Sequence, residues 1–303
     1  MPASPSHRFP LHSLSIGAAA NLACTLEATA PKAGNVYPGQ EFADLGFADF
    51  LAAASVCGSV FEHAADRSVG ELVLQCVGES RQVTRSNANL GIVLLLAPLA
   101  KAAAAMGESA NRSALRLELS RQLAGLTPTD GRLVFQAIRE SPAGGLGDAT
   151  THDVRATESD VDLLEAMRLG QDRDKIAEQY STDFRFLFDV VVPCLDSAIS
   201  DQGDLLRGIS HAQIAMLSSH VDTLIQRKCG DAIAKETRRR ARVVADLGRW
   251  DVGSAEWIEL DRWLRGDANR RNPGTTADLI AAGLFVLIRT DAAGTKPSAI
   301  AGP

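Results

Sequence analysis

The sequence predicts an all-α protein, a single multi-helix globular domain of about a dozen helices. Three observations carry that reading. Alanine and leucine are abundant, and aromatic residues make up only 5% of the chain. β-Branched residues scarcely ever alternate with polar ones, as a half-buried strand requires. Apolar residues recur instead at helical spacing, between cap and stop signals.

Residues 1–10 read as a flexible N-terminus, and the domain runs over 11–290. Helices are expected at 11–29, 46–66, 68–83 and 87–106. Pro31 ends the first of these, because the residue before proline disfavours helix. The fourth carries the strongest apolar stretch, Gly91 to Met106, which includes Pro98 and Lys101. That stretch is shorter than the roughly 20 apolar residues that span a bilayer, so it reads as a buried helix. Further helices are expected at 111–124, 129–140, 158–169, 172–181, 183–200 and 204–218. Thr127-Pro128-Thr129-Asp130 caps the one at 129–140. Thr157-Glu158-Ser159-Asp160 opens the next, with acids in its first turn as the helix dipole favours. The last three are expected at 221–245, 254–265 and 275–290. Trp257, Ile258, Leu260, Trp263 and Leu264 form one apolar stripe on the second of them. Residues 291–303 read as a flexible C-terminus, and no Pro/Gly/Ser linker divides the chain.

Composition excludes several function classes. With 46% hydrophobic residues and a mean hydropathy of -0.01, the 303-residue chain is globular rather than disordered. A net charge of -6 gives no global field for nucleic acid or anionic membrane, so an anion site must be local. Cys24, Cys57, Cys76, Cys194 and Cys229 sit singly in apolar runs without CxxC spacing. They read as buried free thiols of a reducing cytoplasm. The N-terminus shows no signal peptide, so the expected location is cytoplasmic.

Five polar segments interrupt the helical pattern. In Glu27 to Val36, Lys32 stands on a proline-stiffened loop, and Gly34 permits close approach of a ligand to backbone. Thr84 to Gly91 runs directly into the most apolar helix, whose free N–H groups can take a phosphate, with amide contacts from Asn87 and Asn89. The glycine-rich loop Pro142 to Val154 offers Asp148, His152 and Asp153 to a metal, and lacks the lysine-serine ending of a P-loop. Asp222 and Thr223 precede Arg227 and Lys228 by about a turn, and Asn272 to Thr276 precedes Asp278. Magnesium takes one or two carboxylates beside phosphate and water, so Asp278 with Asp222 or Asp148 would suffice. Each segment has a structural alternative: a helix stop with a solvated lysine, N-capping by Ser86 or Asn87, a surface loop, a cap with a basic edge, and dipole stabilisation of Asp278.

Taken in order, the five segments resemble the triphosphoribosyl-dephospho-CoA synthase family. Pro31-Lys32-Ala33-Gly34 is similar to its proline-lysine-proline-glycine segment. Asn87-Ala88-Asn89-Leu90-Gly91 is similar to its asparagine-threonine-histidine-lysine-glycine segment, and Gly144 to Asp148 to its acidic glycine loop. Asp222-Thr223 with Arg227 and Gly230, and Asn272-Pro273-Gly274 with Ala277-Asp278-Leu279, keep the later pattern best. The resemblance spans roughly residues 15 to 290. It departs at Ala33, Asn89, Leu90, Leu146 and Thr150, which stand where the family has proline, histidine, lysine, arginine and glutamate.

The resemblance implies a Mg²⁺-dependent transferase with ATP as substrate. The ribosyl 2′-hydroxyl of dephospho-CoA attacks C1′ of the ATP ribose, adenine leaves, and the triphosphoribosyl group is transferred. On this reading Lys32, Arg227 and Lys228 hold phosphates, with Gly34, Gly91, Thr223 and Asn272 beside them, and Asn87 and Asn89 orient the nucleotide. Asp278, Asp222 and Asp148 are the metal candidates; Asp222, Asp148 and His152 are the catalytic ones. The expected partners are the nucleotide and a small-molecule acceptor, without nucleic acid or membrane, and a homodimer is admitted. Two alternatives stand beside this: an enzyme of (tetrahydromethano)pterin cofactor biosynthesis on the same fold, which the Ser86 to Gly91 segment resembles, and a non-catalytic nucleotide-binding or scaffold protein.

Overall fold

The computed structural model describes residues 14–84, 89–107, 111–141 and 162–290. Among these every regular element is helical, and the only pairing of extended chain is an isolated bridge between Tyr37 and Gln40. The elements are α1 (Ile16–Thr29), α2 (Phe47–Phe61), α3 (Val69–Val83), α4 (Leu90–Met106), α5 (Arg112–Ala124), α6 (Pro128–Glu140), α7 (Leu163–Gly170) and α8 (Lys175–Ser181). After a π-helical turn (Leu187–Val191) come α9 (Val192–Gln202), α10 (Leu205–Ser219), α11 (Thr223–Cys229), α12 (Asp231–Ala245), α13 (Ala255–Arg265) and α14 (Gly274–Thr290). The all-α expectation holds.

Local chemistry explains the starts. Ser15 Oγ accepts from the Ala18 N–H at 3.2 Å and opens α1. Ser68 with Glu71, and Thr127 with Asp130, form reciprocal capping boxes on α3 and α6. Asp162 caps α7 by accepting from the Glu165 N–H at 3.1 Å. The cap expected around 157–160 lies outside the described residues.

Two expected helices are broken. The run 221–245 divides at Gly230, whose φ of +86° no helix accommodates and which only glycine adopts freely. The run 183–200 begins instead with Asp183 and Phe184 at positive φ and a π-helical turn, and α9 then opens with Pro193 in its first turn. Proline has no N–H to donate to the preceding turn, so the ladder restarts there. The stripe on α13 is also narrower than its sequence: Trp257, Leu260 and Leu264 are buried, while Ile258 is exposed.

The core is centred on α4 and α14. Both are buried along almost their whole length, Pro98 included, and α1, α3, α5 and α9 pack around them. Each buried leucine or phenylalanine contributes about 1.5–3 kcal/mol by leaving water. α1 crosses α2 closely at Gly17, where an added methyl would lie 2.1 Å from the Gly58 carbonyl oxygen. A second cluster joins α10, α11, α12 and α13 through Leu217, Ile225, Val244, Trp250 and Trp257. All five cysteines are free thiols. Among the described residues no helix is long and apolar enough to cross a membrane.

Candidate active site

Where α1 ends and α4, α8 and α14 begin, the helices leave a cavity of about 550 Å³. Ligand sites commonly occupy roughly 300–1,000 Å³ between such elements. One part of its wall is basic. Arg173 stands before α8, Arg227 and Lys228 in the last turn of α11, and Arg270 in the loop before α14. Arg227 pairs with Asp174 at 2.9 Å. Arg270 donates to the Lys228 carbonyl at 2.6 Å. Among the described residues Lys228 reaches only an amide oxygen, that of Asn272, at 3.4 Å. Burial pushes its ammonium pKa down, and the charges of Arg227 and Arg270 add to that push. A desolvated cation among cations is a place where a bound anion gains most.

The acids are Glu27 from α1, Asp174, Asp44 and Asp278 from α14. Asp278 is half-buried and has no hydrogen-bond or ion-pair partner among the described residues. Its carboxyl pKa is raised well above the usual value, first by burial and then by the charges of Glu27, Asp222 and Asp174; Arg227 opposes these. Gly91, in the first turn of α4, makes room for this carboxylate. Aromatic and apolar groups, Phe42, Leu45 and Phe50, line another part of the wall.

The structure brings Asn89, Gly91, Arg227, Lys228, Asn272 and Asp278 together on this cavity. It places four other candidates in the packing rather than on the lining. Lys32, expected on a phosphate, is fully buried. Its ammonium is bound to the Glu27 carboxylate at 3.0 Å, to the Ala30 carbonyl at 3.2 Å and to the Glu27 carbonyl. All three of its N–H groups are used inside the protein, so the expected phosphate contact is corrected. Gly34, at φ +76°, lies against Leu264 and Pro273 and donates its N–H to Asp261 at 2.8 Å. Its close approach is to protein, not to a ligand.

Asp222 is likewise a structural tie. One carboxylate oxygen caps α11, accepting from the Leu224 and Ile225 N–H groups at 2.9 and 3.1 Å. The other accepts from the N–H and hydroxyl of Thr276, both at 2.8 Å. With four donors on two oxygens, this carboxylate has no lone pair free for a metal or for base catalysis, and that expectation is corrected too. Thr223 accepts from the Lys175 N–H at 3.1 Å and contacts the Thr275 hydroxyl at 3.3 Å. Its role is to join α8, α11 and α14. Asn89 turns its amide toward Cys57 Sγ and Ser80 Oγ, at 3.4 and 3.3 Å, while still lining the cavity. Asn87, Asp148 and His152 lie outside the described residues.

Sequence reasoning missed Glu27, Arg173, Asp174 and Arg270. The first had a legible signal, since a glutamate five residues before a loop lysine can pair back across the turn. Nothing local marked the other three.

Fold and site define an all-α protein with a cavity of nucleotide size, walled in part by helix ends that carry both cations and acids. The chain belongs to the ATP:dephospho-CoA triphosphoribosyl transferase family, whose model matches residues 13–296. It is therefore a transferase of the triphosphoribosyl-dephospho-CoA synthase type. A solved structure from Archaeoglobus fulgidus, provisionally described as a triphosphoribosyl-dephospho-CoA synthase, is similar at 25% identity and a TM-score of 0.64. The match covers 82% of this chain and 98% of that one. No curated protein matches the chain.

Proposed function

We propose that this protein transfers the triphosphoribosyl group of ATP to a ribose hydroxyl of dephospho-CoA, with release of adenine, and that the reaction takes place in the α1/α4/α8/α14 cavity. The observation that carries the reading is the Asp278 carboxylate, without a partner among the described residues, on a wall shared with Arg173, Arg227, Lys228 and Arg270. The transfer needs cations for the triphosphate and negative charge beside the ribose centre as it becomes oxocarbenium-like. Arg227 and Lys228 bind the phosphates, and Asp278 faces the ribose end. Its pKa is raised by burial and by the neighbouring carboxylates; the positive charge that develops at the ribose centre, or a cation held on the phosphates, favours its ionised form.

Magnesium fits this arrangement. Among the described residues there is no cluster of three acidic, histidine or cysteine side chains that could hold a metal by itself. Mg²⁺ usually enters on phosphate oxygens and takes only one or two carboxylates, and Asp278 is a lining carboxylate with no partner among the described residues to meet it. When bound, Mg²⁺ supplies charge neutralisation of the triphosphate. The five free thiols support a reducing, cytoplasmic setting.

The test is direct. The purified protein is incubated with ATP, Mg²⁺ and dephospho-CoA, and free adenine is measured by chromatography. Stoichiometric adenine and a product heavier by one triphosphoribosyl group are expected. Adenine appearing only with another acceptor would move the acceptor assignment, and ATP binding without adenine from any acceptor would overturn the transfer.

A further inference from the structure

Lys32 and Glu27 form a buried ion pair that the cavity only half conceals. Lys32 is fully buried and Glu27 is 3% exposed, yet Glu27 lines the cavity and Lys32 does not. A buried ion pair contributes little to stability relative to apolar groups of the same size, while loss of one partner is costly. Its presence is therefore weakly explained by folding. The geometry shows what else it does. Ala30 and Glu27 supply two carbonyls and Glu27 one carboxylate oxygen to a single ammonium, which fixes both the rotamer and the charge of the Glu27 side chain at the end of α1.

We propose that Glu27 is the catalytic carboxylate that accepts the proton of the attacking hydroxyl, and that Lys32 is a positioning residue that holds Glu27 aimed and ionised. This rests on the transfer reaction proposed above. The hydroxyl oxygen forms a bond to C1′ of the ATP ribose as the C1′–N9 bond breaks. The electron pair of that bond leaves on adenine, which takes a proton from water, while the hydroxyl proton passes to the Glu27 carboxylate and then to solvent.

The surroundings agree. Burial raises the Glu27 pKa, and the Lys32 charge and hydrogen bond counter it. From α14 the Asp278 carboxylate faces it, and from α1 itself Cys24. α2 brings Cys57 behind Cys24, and α4 lines the same cavity with the uncharged Leu90 and Gly91. Of these groups Lys32 is the one cation in contact with Glu27. Asp278, by contrast, has no paired cation among the described residues, so the two carboxylates are set up for different tasks.

The experiment is chemical rescue. Glu27→Ala opens space beside the Lys32 ammonium that formate can enter from the cavity. Turnover, read as adenine release, is expected to fall by ~100-fold or more, the usual scale of general-base loss, with ATP affinity kept within about threefold. Added formate is expected to restore part of kcat. Lys32→Met is expected to lower kcat with ATP affinity likewise retained. The paired variant Glu27→Gln/Lys32→Met leaves no unpaired buried charge and serves if the single variants do not fold; it is expected to fold and to be inactive. The proposal is overturned if folded Glu27→Ala, or the paired variant, keeps wild-type turnover, or if formate restores nothing to a folded Glu27→Ala that still binds ATP. A wild-type protein that binds ATP but releases no adenine with any acceptor would sink the underlying reading instead, and the proposal with it.

Discussion

The carboxylate of Asp278 fills the space that a side chain at residue 91 would need: a methyl group on Gly91 would lie 2.1 Å from Asp278 Oδ2 and 2.7 Å from Ile176 Cδ1. A glycine inside a helix normally costs about 0.5–1 kcal/mol relative to alanine. At residue 91 the overlap reverses that sign. Gly91→Ala is expected to destabilise the protein by about 1–3 kcal/mol, the usual cost of overpacking, and to weaken ATP binding by displacing Asp278. Denaturant unfolding and calorimetric titration with ATP and Mg²⁺ measure the two effects. A variant both more stable and unchanged in affinity would show that the contact constrains nothing.

Asp278 itself should cost the empty protein stability. Its pKa is raised in the folded chain, whereas an unfolded aspartate titrates near ~3.9. The native state therefore keeps its proton longer than the unfolded state, and this group's contribution falls as pH rises from about 4 through the folded value. Asp278→Asn removes the penalty. Its melting temperature should exceed that of the wild type at pH 8, and the gap should close toward pH 4. Mg²⁺-dependent ATP binding should be lost in the same variant with helicity intact by circular dichroism. A lower melting temperature at pH 8 would mean that the carboxylate has a partner in solution.

How much of this was legible in the sequence depended on the range of the interaction. Caps were legible, because Ser68 with Glu71 and Thr127 with Asp130 act within one turn. The break at Gly230 was obscured because apolar periodicity resumes on its far side; only the backbone shows the positive φ. The cavity was partly legible, since Arg227, Lys228, Asn272 and Asp278 all stand in segments where polar groups abut apolar helices, and they meet. Direction was not legible. Lys32 turns inward to Glu27 and Asp222 inward to Thr276, and the residue types are the same as those of a phosphate lysine and a metal aspartate. The partner that decides between roles is 54 residues away for Asp222.

Asp222→Asn separates scaffold from chemistry at that position. The change leaves an acceptor on one side and puts an amide donor against the donors of the other, either the α11 cap or Thr276. Losing a cap costs about 1 kcal/mol, and each buried N–H left unmatched about 1–3 kcal/mol. A loss of roughly 2–4 kcal/mol on thermal or denaturant unfolding is expected on those two terms. Adenine release measured well below the new melting temperature should stay within an order of magnitude of the wild type. A folded variant with unaltered stability and no turnover would return Asp222 to the reaction.

Arg227 and Lys228 should be distinguished by what each leaves behind. A charge-assisted contact to phosphate is worth about 1.5–3 kcal/mol, so Arg227→Met and Lys228→Met should each weaken ATP binding by about 10- to 100-fold. The loss should shrink from ATP to ADP to adenosine in a titration series, because fewer phosphate oxygens remain to feel it. Stability should part the two. Arg227→Met strips Asp174 of its 2.9 Å ion-pair partner, but that pair is partly solvated, so the cost should not exceed about 1 kcal/mol. Lys228→Met removes a half-buried ammonium whose pKa burial already pushes down, so the ligand-free protein should be as stable as the wild type or more so. If adenosine binding suffers as much as ATP binding in either variant, that residue holds the nucleoside or the fold rather than the triphosphate.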